Sequence, residues 1–234
     1  MLRFLFLLCF AFLAFAQSPS SFPQSKKSAA QLFQKHPQPL YCQCSYEDKE
    51  LNLVCCGIQS ADSMQRAHRI DWKYVMAAEH FGRQFECCRK LICEDDHGKP
   101  YKGRRCCEKI DEQFRNVEAE LYNLWPEVGM MNQAHSHHQF GMLPQQTDAM
   151  KIDRVSHRVE LPDSAKGIVA RAYLFMNEHY GLTLSPSQKK LFIAWNKAFK
   201  PKAWEKQWAL QVALIEGYEN SYMTHWQVKA HVAL

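Results

Sequence analysis

Residues 66–82 read RAHRIDWKYVMAAEHFG. Neither strict alternation nor a 3.6-residue apolar stripe runs through them, so periodicity leaves the stretch unassigned. The flanks are more regular. Downstream, Ile110, Phe114, Val117 and Leu121 fall at i, i+4, i+7 and i+11, one face of a helix that Pro126 is expected to stop. From Met130 to Met150 the chain is rich in Gln, His and Met without a period and reads as loop. Three helices are expected after it. One begins near Asp163-Ser164 and ends by Gly181. A second has Ser185 as cap, Pro186 at its first position and Gln188 three residues after the cap. A third runs from Lys202 to Glu216 and stops at Gly217. Upstream, Leu40–Cys44 and Leu51–Cys56 read as short strands of a hairpin around residues 46–49. The expected fold is α+β, a mostly helical single domain with a small β-hairpin or sheet.

The 234 residues include 47% apolar and 23% charged side chains, which excludes wholesale disorder. Sparse glycine, no heptad and one strongly apolar run exclude collagenous, coiled-coil and multispan membrane proteins. A net charge of +5 is compatible with a polyanionic partner. Residues 1–16 read as a signal peptide: Arg3, then an apolar run from Phe4 to Leu13, then Ala14-Phe15-Ala16. The run is too short for a membrane span. Cys9 leaves with it, and the other nine cysteines all lie between Cys42 and Cys107. Export and clustering point to disulfides over zinc, since adjacent cysteines suit separate bridges better than one tetrahedral site. An odd count leaves at least one thiol free or paired between chains. Residues 17–39 read as a flexible leader, 40–222 as the folded domain and 223–234 as a C-terminal tail.

The ordered set of local motifs resembles the bacterial endonuclease I family, exported nonspecific deoxyribonucleases of the ββα-metal (His-Me finger) type. It is carried by Tyr41-Cys42-x-Cys44, Cys56-Gly57 and Arg66 to Gly82, then Lys102-Gly103-Arg104-Arg105-Cys106. It continues through Phe114-Arg115-x-x-Glu118-Ala119-Glu120-Leu121-Tyr122-Asn123-Leu124-x-Pro126 and Val128-Gly129-x-x-Asn132. Its last parts are Ala165-Lys166-Gly167-x-x-Ala170-Arg171-Ala172-Tyr173 and Leu191-Phe192-x-Ala194-Trp195-Asn196-Lys197. The resemblance spans roughly residues 40–220 and implies a disulfide-stapled nuclease fold. It also implies a monomer without a membrane span, in the periplasm or outside the cell, acting on nucleic acid, DNA above RNA.

The family reaction is Mg²⁺-dependent phosphodiester hydrolysis: a histidine activates water, and a glutamate and an asparagine hold the metal. The chemistry needs a base with a near-neutral pKa and a cation at the charged phosphate. In the family pattern the tryptophan is followed by Glu-His, two aliphatic residues and Pro-Ala. Here Trp72 is followed by Lys73 and Tyr74. A protonated lysine has no lone pair for a metal, and tyrosine titrates near 10. Asn132 matches the metal-ligand asparagine, Arg104 the phosphate-binding arginine and Glu118 the acid at the leaving group. The glutamate, glycine and arginine usually flanking the asparagine are Met130, Gln133 and His135. Two rescues are conceivable. Glu79-His80 repeats the lost dipeptide six residues on, about 120° round a helix from it. His135, His137 and His138 lie just after Asn132 and could supply a base or ligands, although a solvated loop is the simpler reading. Trp72, Trp195, Trp204 and Trp208 read as core. The expected function is an exported endonuclease I-type protein acting on DNA with impaired or lost hydrolysis. The alternative is an inactive nucleic-acid-binding or protein-interaction module on the same scaffold.

Overall fold

The protein is described by a computed structural model over residues 18–42, 44–47, 50–51, 56, 69–136, 138–144 and 150–230. The expected signal peptide, Cys55, Arg66–His68 and His137 lie outside the described residues. The first element is α1 (Phe22–Leu32), followed by a 3-10 turn at Phe33–Lys35. This corrects the flexible leader. Ser20 holds Gln24 through its N–H and hydroxyl, and Ser25, Ala29 and Leu32 form a buried stripe. The Ser25 hydroxyl donates to the Ala119 carbonyl at 2.5 Å, and Phe33 packs edge-on against Trp125.

A hairpin forms, but not from the expected strands: β1 (Tyr46–Glu47) lies in the expected turn and pairs with β2 (Glu50–Leu51), while the described residues of 40–44 are not strand. Leu40 is not free to extend it, because its N–H bonds to the Pro126 carbonyl. The unassigned stretch forms β3 (Ile70–Tyr74), then α2 (Ala78–Gly82). Next come α3 (Glu86–Arg89), β4 (Cys93–Glu94) paired to β5 (Pro100–Tyr101), and α4 (Arg104–Ile110). Gly103 starts α4 with a φ of 101°, a conformation glycine adopts cheaply. Bridges Cys87–Cys107 and Cys93–Cys106 staple this region, and Cys42–Cys56 ties the hairpin region. Adjacent Cys106 and Cys107 thus serve different bridges, and Cys88 remains a free thiol.

Asp111 caps α5 (Glu112–Ala119) through the Phe114 N–H. Pro126 does not end this helix. The helix stops at Ala119 because the Glu120 carboxylate turns back to accept the Tyr122 N–H and is held by the Tyr180 and Tyr218 hydroxyls. Those partners are far away in sequence and leave no local signal. Pro126 sits instead within β6 (Leu124–Val128), which pairs antiparallel with β3 in the register Lys73 to Trp125. The strand has room for a residue without an N–H because the sheet has two members among the described residues.

The expected 130–150 loop is also corrected in part. It holds α6 (Gly129–His135), with Met131 and His135 buried four residues apart, and β7 (Gln139–Phe140). With β8 (Lys151–Asp153) and β9 (Arg158–Glu160), β7 makes a small sheet of order β7-β9-β8. The three late helices agree with the sequence: α7 (Asp163–Tyr180), α8 (Pro186–Ala198) and α9 (Ala203–Glu216). The Ser185 hydroxyl accepts the Gln188 N–H as a capping residue should, and Gly217 closes α9. Short helices α10 (Ser221–Thr224) and α11 (Trp226–Lys229) follow, and Trp226 donates to the Asn196 carbonyl, so this part of the expected tail is folded. The architecture is α+β and mostly helical, in one domain.

Candidate functional site

β3, β6 and α6 form a ββα unit, and β3 is paired on one side only among the described residues. Side chains alternate along a strand. Asp71 and Lys73 therefore face α6, while Trp72 and Tyr74 face α1 and the 3-10 turn, where Tyr74 meets Phe22 and Trp72 meets Phe33. A groove of about 560 Å³ follows the open edge of β3, lined by both sets together with Lys26, Glu79, Arg104, Asn132, Gln133 and Ser136.

On the α6 side, Lys73 is buried, with 3% of its surface exposed. Its Nζ lies 2.8 Å from His135 Nδ1 and donates to Asn132 Oδ1 at 3.4 Å. Burial lowers the lysine to about 8, opposed by the charges of Glu127 and Glu79. Burial raises Glu127 to about 8, opposed by the N–H groups of Val128 and Tyr41 and by Lys73. His135 is fully buried, and its pKa falls well below the usual imidazole value through burial and the neighbouring Lys73 charge. An ammonium donating to Nδ1 fixes the tautomer with the proton on Nε2, which has no hydrogen-bond partner among the described residues. The imidazole lone pair is committed to Lys73, so His135 is not available as a base.

On the α1 side, the Tyr74 hydroxyl accepts from Arg104 Nη2 at 3.2 Å. Burial and then the Glu118 charge raise the phenol further, the wrong direction for a base. Arg104 Nε donates to Glu108 at 2.9 Å and also lies 2.5 Å from Glu118 Oε1, an ion pair without hydrogen-bond alignment. Burial raises Glu118 to about 7, with Arg104 opposing. Such a carboxyl retains a proton near neutrality and could donate it to a leaving oxygen. His80 lies on α2 with Nδ1 3.2 Å from the Tyr173 hydroxyl, whereas Glu79 is on the groove.

Four of the five sequence-derived positions, Lys73, Tyr74, Arg104 and Asn132, line one groove in two groups, Lys73 with Asn132 and Tyr74 with Arg104, while Glu118 is buried behind Arg104. Sequence reasoning missed Phe22 and Lys26, which lay within the presumed leader, and the direct contact of His135 with Lys73. It also counted Trp72 as core, whereas the ring is half-buried at the groove wall. Trp195 and Trp208 are buried as expected. The donor set does not fit Mg²⁺. That ion needs several oxygen ligands, and the Asn132 oxygen accepts from a lysine whose ammonium offers no lone pair.

An antiparallel strand pair followed by a helix, with Asn132 on that helix facing the strand, is the arrangement of the ββα nuclease class. The family model for Endonuclease I matches residues 13–227. The chain is 30% identical over 213 residues to an extracellular deoxyribonuclease of Aeromonas hydrophila, across 87% of this chain and 88% of that one. It is 31% identical over 218 residues to a periplasmic deoxyribonuclease of the same organism, across 89% and 87%. It is 33% identical over 214 residues to an Endonuclease-1 of Buchnera aphidicola subsp. Baizongia pistaciae, across 87% and 82%. The chain belongs to the Endonuclease I family. No helix among the described residues is long and apolar enough to cross a membrane.

Proposed function

We propose that this protein is an exported, monomeric DNA-binding member of its family in which Mg²⁺-dependent hydrolysis is strongly impaired and the groove still holds the phosphate backbone. The observation that carries the reading is the Lys73 ammonium 3.4 Å from the Asn132 oxygen. Below about pH 8 that ammonium sets a positive charge beside the residue that matches the family's metal-ligand asparagine. Lysine has three donors. Two are directed at His135 and Asn132, which leaves one for a phosphate oxygen in the groove. Arg104 adds a second cation to the groove lining, with the buried Glu118 behind it. With Tyr74 raised above its ordinary range and His135 bonded to Lys73, neither is set up to activate water.

The test is retention of a labelled DNA duplex at low salt with EDTA present, together with plasmid nicking in Mg²⁺. Wild type is expected to retain DNA in EDTA, with affinity falling steeply as salt rises. Lys73→Glu and Arg104→Ala should each weaken retention. No retention at low salt, or retention unchanged by both substitutions, overturns the binding reading. Brisk EDTA-sensitive nicking by the native chain overturns the impaired-hydrolysis reading.

A further inference from the structure

Three cations line the groove among the described residues: Lys26, Lys73 and Arg104. Their electrostatic situations differ. Arg104 faces two carboxylates, Glu108 and Glu118, and spends a second nitrogen on Tyr74. Lys73 is buried and bonded to His135 and Asn132. Lys26 has no carboxylate partner among the described residues, and its ammonium sits 4.8 Å above the Phe22 ring. The Arg104 guanidinium lies 5.3 Å from the same ring centre, and that ring packs 4.9 Å from Tyr74. Phe22 is therefore a platform shared by two cations of the groove lining. A cation–π contact of this kind contributes about 0.5–1 kcal/mol at an exposed site. That is enough to bias a lysine's rotamers without neutralising its charge.

We infer that Lys26, held by Phe22 on α1, is a phosphate-contacting residue of the groove, so that α1 forms one wall of the DNA-binding surface. The inference rests on the DNA-binding reading above and extends it to a helix that supplies none of the family's catalytic positions. A lysine with no competing carboxylate releases one counterion when it meets a phosphate, whereas Arg104 must first share or exchange its acidic partners. α1 is anchored well enough to present it: Ser25 is bonded to the Ala119 carbonyl, and Ala29 and Leu32 are in the core. Lys26 and Phe22 lie one helical turn apart, on the face that the ring turns toward Tyr74.

The experiment measures affinity for a labelled DNA duplex across a salt series with EDTA present, for wild type, Lys26→Ala, Lys26→Arg, Phe22→Leu and Lys27→Ala. Loss of one phosphate contact should lower the slope of log affinity against log salt by about 0.9. Lys26→Ala is expected to show that decrease, Lys26→Arg to restore it, and Phe22→Leu to weaken binding without a change of charge. Lys27→Ala removes the same charge from the neighbouring exposed position, outside the groove lining, and should leave the slope unchanged. Wild-type retention with a Lys26→Ala slope equal to wild type overturns this inference alone. Equal losses in Lys26→Ala and Lys27→Ala overturn it too, because only general charge would then matter. No retention by wild type overturns the DNA-binding reading and this inference with it. Circular dichroism of each variant separates a folding defect from a binding defect, and Lys26→Arg keeps the inference testable if the alanine variant unfolds.

Discussion

A lysine at position 73 makes sense only together with the residue that receives it. Its Nζ donates to His135 Nδ1, so the pair forms a buried, hydrogen-bonded unit where the family pattern has a glutamate and an arginine. The exchange moves the cation from the helix to the strand, with Lys73 on β3 and a neutral imidazole on α6. This sets the expectation for repair. Lys73→Glu with Tyr74→His returns a carboxylate and a base to the groove, but leaves the carboxylate against an imidazole that burial keeps neutral. Adding His135→Arg gives that carboxylate a cationic partner. The triple variant is therefore expected to nick plasmid DNA in Mg²⁺ faster than the double, and the double faster than native protein. Loss of a general base costs about 10²–10⁴-fold, and loss of the metal removes several kcal/mol of charge stabilisation besides, so the total gain should span orders of magnitude. No EDTA-sensitive gain in either variant would mean that Lys73 and Tyr74 are not the principal lesion. The family resemblance made Lys73, Tyr74, Arg104, Glu118 and Asn132 legible in the sequence. It did not reveal the Lys73–His135 bond, because a contact 62 residues apart leaves no trace in local spacing.

The α7–α9 pair shows how an element is placed by one buried charge. Arg171 on α7 donates from Nε and Nη2 to the two oxygens of Glu205 on α9, at 2.6 and 2.8 Å, and from Nη1 to the Phe199 carbonyl. Both side chains are about 1% exposed. Glu205→Ala strands the guanidinium and is expected to cost about 3–5 kcal/mol, read as a fall in urea midpoint with the slope unchanged. A loss below 1 kcal/mol would mean that water reaches Arg171 and the bridge is not structural. The same helix explains Gly167, where a Cβ would come within 2.4 Å of the Phe199 carbonyl oxygen. The late helices could be read from the sequence because their signals are local: the Ser185 cap, Pro186 and the two closing glycines. α1 and α6 could not, for opposite reasons. The buried face of α1 is built from Ser25, Ala29 and Leu32, and a hydroxyl and a methyl beside one leucine are too little to register as an apolar stripe. α6 is seven residues long and buries a histidine where a hydrophobic residue would have signalled a helix. β3 was illegible because groove-facing and core-facing residues interrupt each other on a strand with one open edge.

Across the whole molecule, a second buried polar cluster joins the end of α5, the end of α7 and the end of α9. Glu120 accepts the hydroxyls of Tyr180 and Tyr218 at 2.7 and 2.8 Å. Glu216 accepts the Leu121 N–H at 3.0 Å and lies 3.4 Å from the same Tyr218 hydroxyl. Two buried carboxyls thus share one half-buried tyrosine, and neither forms an ion pair with a cation among the described residues. Burial, then the charge of Glu120, raises Glu216 from its ordinary value to about 8, against the opposing Leu121 N–H. A carboxyl whose folded pKa is raised holds its proton more tightly in the native state than in the unfolded chain. Its contribution to stability is complete below about pH 4.5 and is lost as pH rises through about 8. Glu216→Gln keeps an oxygen for the Leu121 N–H and cannot ionise, so it removes this pH dependence without removing the bond. Thermal melts at pH 5 and pH 8.5 should show wild type losing more stability than Glu216→Gln. The rise from 4.5 to about 8 makes the difference of order 4 kcal/mol, or roughly 10 °C in Tm for a chain of this size. Glu118, Glu127 and Lys73 also titrate in this window, but they are common to both proteins and cancel in the comparison. Parallel losses in the two proteins would show that Glu216 is already ionised in the fold and that the cluster holds its charge by hydrogen bonds alone.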